Sequence, residues 1–230
     1  QNTKKEPDKV DTKIYESITN EKDLDRWIDI LNQKSIISVD TETTSLNPLE
    51  TELVGISFSY ESNKACYIPL GHKKVNGLKK DLVLKKIKKI LEDKSIKKVG
   101  QNIKFDLLVL KNHGIKIYPI EDTMLISYTL DAGVNRHNLD ILSEIHLNHK
   151  TIAFKDLVGS GKKEINFREV DIEKAKDYAA EDADVTYRLY KKFYKSLKEE
   201  KMINIYEVFE KPMIKILANM EIEGIKVDKE

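Results

Sequence analysis

The chain has 230 residues, 40% of them apolar and 34% charged, with a formal net charge of +1. That length suits one large domain, or a domain with an appendage, and the apolar share supplies a core. No run of about eighteen apolar residues is available for a membrane span, the single Cys66 excludes an intrachain disulfide and fits a reducing, cytoplasmic setting, and the near-neutral charge argues against a protein that coats nucleic acid by bulk electrostatics.

Residues 1–13 are polar, lack the apolar segment of a signal peptide and read as a disordered tail or linker remnant. A short strand is expected near Tyr15 to Ile18, then a helix over 21–33 that Thr19 or Asn20 can cap. Ser35 to Glu42 reads as the first core strand. Leu53 to Tyr60 and Ala65 to Leu70, separated by ESNK, read as a hairpin. Leu78 to Glu92 carries helical periodicity, with Leu78, Leu82, Ile87, Ile90 and Leu91 apolar. Its many lysines, from Lys73 on to Lys104, read as a solvated face. A short strand over 96–100 and a helix over 104–113 follow. From Glu121 onward the pattern is mostly helical, with segments near 122–131, 137–147 and 171–199. Strands first, with helices interleaved and then dominating, predict an α/β fold: a mixed β-sheet flanked by α-helices.

The stretch VDTETTSL (Val39 to Leu46) poses an electrostatic problem. Strand side chains alternate faces, so Ile37, Val39 and Thr41 point one way and Ser38, Asp40 and Glu42 the other. Two carboxylates on one face of a core strand repel and resist desolvation. A cation must lie between them, or water must reach them. Two further acidic segments match this one. In QNIKFD, Asn102 and Asp106 stand four apart at a strand-to-helix junction. In YAAEDAD, Tyr178 and Asp182 stand four apart on one helix face, and Ala179, Ala180 and Ala183 let that face pack closely. Four carboxylates from three elements suit Mg²⁺ or Mn²⁺. A pair of such ions stabilises the attacking and leaving oxygens of phosphoryl displacement. The five histidines form no zinc-binding pattern.

These segments resemble the motifs D-x-E, N-x-x-x-[FY]-D and Y-x-x-x-D of DEDD-type 3′→5′ exonucleases, in the tyrosine subtype. The histidine subtype places its His where Asp177 stands. VDTETTSL, VGQNIKFDLLVL, EDTMLISYTLD, HNLDILSEIHL and DYAAEDADVTYRLY are similar to the proofreading exonuclease domain of the bacterial DNA polymerase I family (family A), across residues 20–205. FEKPMIKILANMEIEGIKVDKE resembles the opening of that family's polymerase domain. The resemblance implies a ribonuclease H-like sheet and a division into tail (1–13), exonuclease domain (14–205) and truncated start of the polymerase domain (206–230). It implies two divalent ions, Mg²⁺ or Mn²⁺, with Zn²⁺ possible in one site. Asp40, Glu42 and Asp182 would hold one ion. Asp40 would be shared with the second, and Asp106 would reach that ion directly or through water. Tyr178 would orient the attacking water. Leu46 would wedge between the last bases and Phe154 would stack on one; judged from residue type alone, both would be core. Gln101 and Asn102 would hydrogen-bond the substrate, and Thr43 would offer its backbone N–H to the terminal hydroxyl. The implied partners are a single-stranded or frayed 3′ end of DNA and a polymerase domain in cis, with no membrane. Two other readings stand beside this one: a catalytically silent domain that binds a strand end or supports the polymerase, and an exoribonuclease of the same superfamily.

Overall fold

The computed structural model describes residues 9–73 and 77–228. Most of the expected N-terminal tail lies outside the described residues, but Thr12–Ile14 form a 3-10 turn. Strand β1 (Glu16–Ser17) leads to helix α1 (Glu21–Asn32). Asn20 starts α1 by accepting the Asp23 N–H on its side chain at 3.0 Å, which satisfies one of the donors a helix start leaves open. Strands β2 (Ile36–Thr43), β3 (Leu53–Glu61) and β4 (Lys64–Pro69) form an antiparallel meander. Next come helix α2 (Lys80–Leu91), strand β5 (Lys97–Gly100), helix α3 (Ile103–Asn112) and strand β6 (Ile120–Asp122). The rest is helical: α4 (Thr123–Asp131), α5 (Leu139–Leu147), α6 (Phe154–Val158), α7 (Ile172–Glu199), the turn α8 (Ile203–Ile205), a π-helical stretch (Tyr206–Glu210) and α9 (Lys211–Glu223). The six strands make one mixed sheet in the order β1-β4-β3-β2-β5-β6, with β5 parallel to β2 and β6 parallel to β5.

Strand β6 adds to the sequence reading, which took the chain from Glu121 onward as mostly helical and named no strand there. Three residues are too few to show alternation, and two of them, Glu121 and Asp122, are carboxylates that are nonetheless fully buried.

The alternation of β2 sets the two layers of the molecule. Ile37 and Val39 enter a core with Trp27 and Leu31 of α1, Ile87 and Ile90 of α2, and Leu110 of α3. Fully burying an aliphatic side chain of this size is worth about 1.5–3 kcal/mol. The other face of β2 meets α7, where the Ser38 hydroxyl donates to the Ala183 carbonyl at 2.6 Å. The approach is this close because Ala175, Ala179, Ala180 and Ala183 are all buried with almost no side-chain bulk. Beyond the sheet, Val185, Leu189 and Phe193 of α7 pack with Ile126 of α4 and Leu142 of α5. A one-residue slip of β2 would push its carboxylates into the aliphatic layer, so register is strongly specified. The α2 lysines are largely solvent-facing, as expected. Further along the same lysine-rich run, Lys98 of β5 is the exception: it is buried, and its ammonium donates to the carbonyls of Asp93 (2.7 Å) and Ile96 (2.6 Å).

The expected boundary at 205/206 falls where the chain packs back on the sheet edge. Tyr206 is fully buried. Its hydroxyl donates to Glu121 at 2.9 Å and accepts the Asp122 N–H at 3.0 Å, while Lys211 reaches the other Glu121 oxygen at 2.9 Å. Tyr206→Phe would leave that carboxylate oxygen and that N–H unpaired. The expected outcome is a loss of about 1–3 kcal/mol in urea unfolding, with the transition still cooperative. An unchanged midpoint would show that the Tyr206 hydroxyl adds nothing to this fold.

Candidate active site

Strand β2 and helix α7 bring Asp40, Glu42 and Asp182 together, with one carboxylate oxygen of each within 4.8 Å of the others. Just past Glu42 the β2–β3 register slips: Glu42 opposes Gly55, but Thr43 opposes Leu53. Such a bulge bends and twists the strand, here directly after the second carboxylate. A Cβ on Gly55 would lie 2.0 Å from the Tyr67 hydroxyl. Only glycine therefore lets the Tyr67 ring lie across β3 beneath the site.

Asp106 comes from the first turn of α3 and meets β2 at Thr41. One of its oxygens accepts both the Thr41 N–H (2.9 Å) and the Thr41 hydroxyl (2.6 Å). Its neighbours hold the start of α3 in place. Asn102 takes the left-handed conformation, with φ of 59°, which asparagine tolerates. Asp122 accepts the N–H groups of Asn102, Ile103 and Met124 at 2.9–3.0 Å. Asp122 thereby satisfies the starts of both α3 and α4. Sequence reasoning assigned it no role, although a carboxylate just ahead of a helix is a capping signal.

The electrostatics are those of a cation site. Burial pushes the Asp40 carboxyl up to about 6. Burial, and then the charge of Asp40, raises Glu42, Asp106 and Asp182 well above the usual carboxylate range. Tyr178 is raised by burial and by Asp182, to which it is hydrogen-bonded. These groups line or adjoin a cavity of about 470 Å³ with Thr43, Leu46, Phe105, Phe154, Asn166 and Phe167 in its walls, and among the described residues no Lys, Arg or His lines it. Buried like charges with no counter-charge call for a cation or for protons. An all-oxygen donor set of this kind suits a hard divalent ion, so the residues fit the metal that the motifs imply.

The structure sorts the remaining candidates. Leu46 is 94% exposed and Phe154 47% exposed, both at the cavity, so neither is core. Phe154 stacks on Phe167 with centroids 6.2 Å apart, and both rings neighbour Tyr178. Phe167 was missed because it starts a single 3-10 turn (Phe167–Glu169) in the loop before α7, too short to show periodicity. The same loop is tied to the strand end by Asn166, whose amide donates to the Thr44 carbonyl at 2.9 Å. Gln101 faces elsewhere: it donates to the His137 carbonyl at 2.7 Å and accepts the Thr123 hydroxyl. Neither Gln101 nor Asn102 lines the cavity. Glu181 and Asp184 flank Asp182 in sequence but serve the fold. Glu181 bonds His149 (2.8 Å) and the Ile152 N–H (2.6 Å), and Asp184 bonds Tyr15 (2.7 Å) and Arg188 (3.0 Å).

Fold and site together define a class: a ribonuclease H-like α/β domain that gathers carboxylates at the end of its central strands. The 3′-5′ exonuclease family profile matches residues 15–198. DNA polymerase I of Rhizobium leguminosarum is 42% identical over 96% of this chain and 24% of its own length. DNA polymerase I of Pseudomonas aeruginosa is 38% identical over 93% of the chain and 24% of its own length. The chain belongs to the 3′-5′ exonuclease domain family of DNA polymerase I, and it spans about a quarter of the length of these relatives. Among solved structures, the POL domain of Pol1 from M. smegmatis shares the fold, with a TM-score of 0.70 at 17% identity over 93% of this chain and 33% of that one.

Proposed function

We propose that this chain is a metal-dependent 3′→5′ exodeoxyribonuclease. It removes nucleoside 5′-monophosphates from a single-stranded or frayed 3′ end of DNA, as the proofreading part of a DNA polymerase. The observation that carries this reading is the cluster of Asp40, Glu42 and Asp182, with no Lys, Arg or His among the described lining residues, in a cavity that has aromatic and aliphatic residues in its walls. Divalent ions bound there stabilise the attacking and leaving oxygens of an in-line phosphoryl displacement.

Asp40, Glu42 and Asp182 would hold the first ion, and Asp40 with Asp106 would serve the second. All-oxygen ligation favours Mg²⁺ or Mn²⁺, and carboxylates also accept Zn²⁺ in one of the two positions. Tyr178 keeps its proton at neutral pH because its hydroxyl is raised from an ordinary value near 10. It therefore orients the attacking water by hydrogen bonding rather than acting as a base. Phe154, backed by Phe167, offers a stacking surface to a terminal base, which suits single strands because every base has a π face. Leu46 projects far enough to part the last two bases. Thr43, at the strand end, offers backbone to the terminal hydroxyl. The side chain of Gln101 is engaged in the fold, so its part in binding is not carried forward. Asn102 is solvent-exposed at the start of α3 and remains available to a strand that runs past it. The partner in cis is a polymerase domain, as in the relatives of which this chain spans about a quarter.

A time course on a 5′-labelled DNA oligonucleotide tests the reading. With Mg²⁺ or Mn²⁺ the expected result is a ladder shortening by single nucleotides from the 3′ end, abolished by EDTA. Internal cuts, or release that survives EDTA, would overturn it. Faster release from the RNA counterpart would transfer it to the exoribonuclease class.

A further inference from the structure

We infer that Thr41 is a positioning residue that sets the affinity of the second metal ion through Asp106; this rests on the two-ion reading above. Asp40, Thr41 and Glu42 are consecutive in β2, so the outer two face α7 and the middle one faces α3. Asp40, Glu42 and Asp182 lie on the α7 side and have one another's oxygens within 4.8 Å. Asp106 comes from the first turn of α3 and is 2% exposed. Thr41 holds it there with two donors on a single oxygen, the backbone N–H at 2.9 Å and the hydroxyl at 2.6 Å.

With one Asp106 oxygen occupied by two donors, the other is the one left to serve as a ligand atom. Thr41 therefore keeps Asp106 aimed. Thr41 lines the cavity beside Asp40 and Glu42, and its hydroxyl is bonded to Asp106, so its role is the one it exerts through Asp106.

Thr41→Val preserves volume and β-branching and removes one of the two donors, leaving the backbone N–H. A hydrogen bond to a charged group sets the scale: the variant should bind the weaker of two Mn²⁺ ions on the order of ten-fold less tightly. Binding of the tighter ion, held by the other three carboxylates, should be unchanged. Mn²⁺ titration followed by electron paramagnetic resonance, on the full 230-residue chain, reads both constants without any turnover. The Mg²⁺ concentration for half-maximal nucleotide release should rise by the same factor, with the rate at saturating Mg²⁺ largely recovered. Thr41→Ser restores the hydroxyl and should restore the wild-type constants, which a packing defect would not allow. If the valine variant fails to fold, as judged by its thermal melt, Thr41→Ala tests the same bond. Wild-type affinity for both ions in the valine or alanine variant overturns the role of Thr41 and leaves the nuclease reading intact. A wild-type chain that binds no Mn²⁺ and releases no nucleotide overturns the two-ion reading, and the role of Thr41 with it.

Discussion

Asp40→Ala is expected to lower nucleotide release from single-stranded DNA by about a thousand-fold or more, with Mg²⁺ at any concentration. Asp40 is the residue best placed to serve two ions. It belongs to the three-carboxylate group with Glu42 and Asp182, and its charge is also felt by Asp106. Its loss therefore weakens both positions, whereas the loss of Asp106 would weaken one. Each lost factor of ten in rate corresponds to about 1.4 kcal/mol of transition-state stabilisation. A thousand-fold thus asks for about 4 kcal/mol, within the several that a bound ion supplies. The fold should survive, because Asp40 makes no hydrogen bond to a partner outside the site and the neighbouring Ile37, Val39 and Ser38 anchor the strand. Asp40→Asn separates charge from shape: it should be nearly as inactive. Two parallel variants sharpen the test. Glu181→Gln and Asp184→Asn alter carboxylates on the same helix that are bonded into the fold, so they should lower thermal stability more than rate at a temperature where they remain folded. Near-normal release by Asp40→Ala would sink the proposed mechanism outright.

The order of helices and the central strands was legible because burial leaves a period in sequence. Ile37 and Val39 on one face of β2, with Asp40 and Glu42 on the other, announce a strand with a special face. Tyr178 and Asp182 at helical spacing, framed by alanines, announce the helix that meets it. The carboxylates were legible for a stronger reason: like charges at core positions violate the ordinary rule for interiors, and such violations concentrate at sites of function. What escaped was set by tertiary contact rather than local pattern. Strand β6 is three residues long and two-thirds acidic, and it exists because Tyr206, Lys97 and Lys211 satisfy Glu121 from distant segments. Phe167 lies in a loop that Asn166 fastens to Thr44, a contact across more than a hundred residues of sequence. Gln101 sits beside Asn102 in the motif, yet its side chain turns to His137 and Thr123. Adjacency in a motif does not fix the direction of a side chain. Thr41 was read only as a residue of the opposite face, and its bond to Asp106 needed α3 in place before it had meaning.

In the presence of EDTA the folded chain is expected to lose stability as pH rises from about 4 through about 6 and beyond, and divalent metal is expected to restore it. Asp40 shifts from an ordinary value of 3.8 to about 6, while Glu42, Asp106 and Asp182 are shifted upward as well. A raised carboxyl pKa means that the folded chain still binds protons that the unfolded chain has released. The unfolding free energy then falls with pH across that interval. The contribution is complete below about pH 4, where both states are protonated, and is lost as the folded groups ionise. For Asp40 alone the shift amounts to roughly 3 kcal/mol. Asp122, raised to about 6 by burial, adds a change of the same sign that no metal should reverse, because it lies at the helix starts rather than in the cluster. Divalent cations exchange for the protons of the cluster, so Mn²⁺ should raise the melting temperature little at pH 4.5 and substantially at pH 8. Asp40→Asn/Glu42→Gln removes two of the repelling charges. In EDTA this double variant should melt above the wild type at pH 8, with a shallower dependence on pH, and it should gain little from Mn²⁺. Melting curves of both chains across pH 4.5–8, with EDTA or Mn²⁺, provide the comparison. A wild-type melting temperature in EDTA that climbs from pH 5 to 8, or a gain from Mn²⁺ as large at pH 4.5 as at pH 8, would show that the cluster is not held together against its own charge.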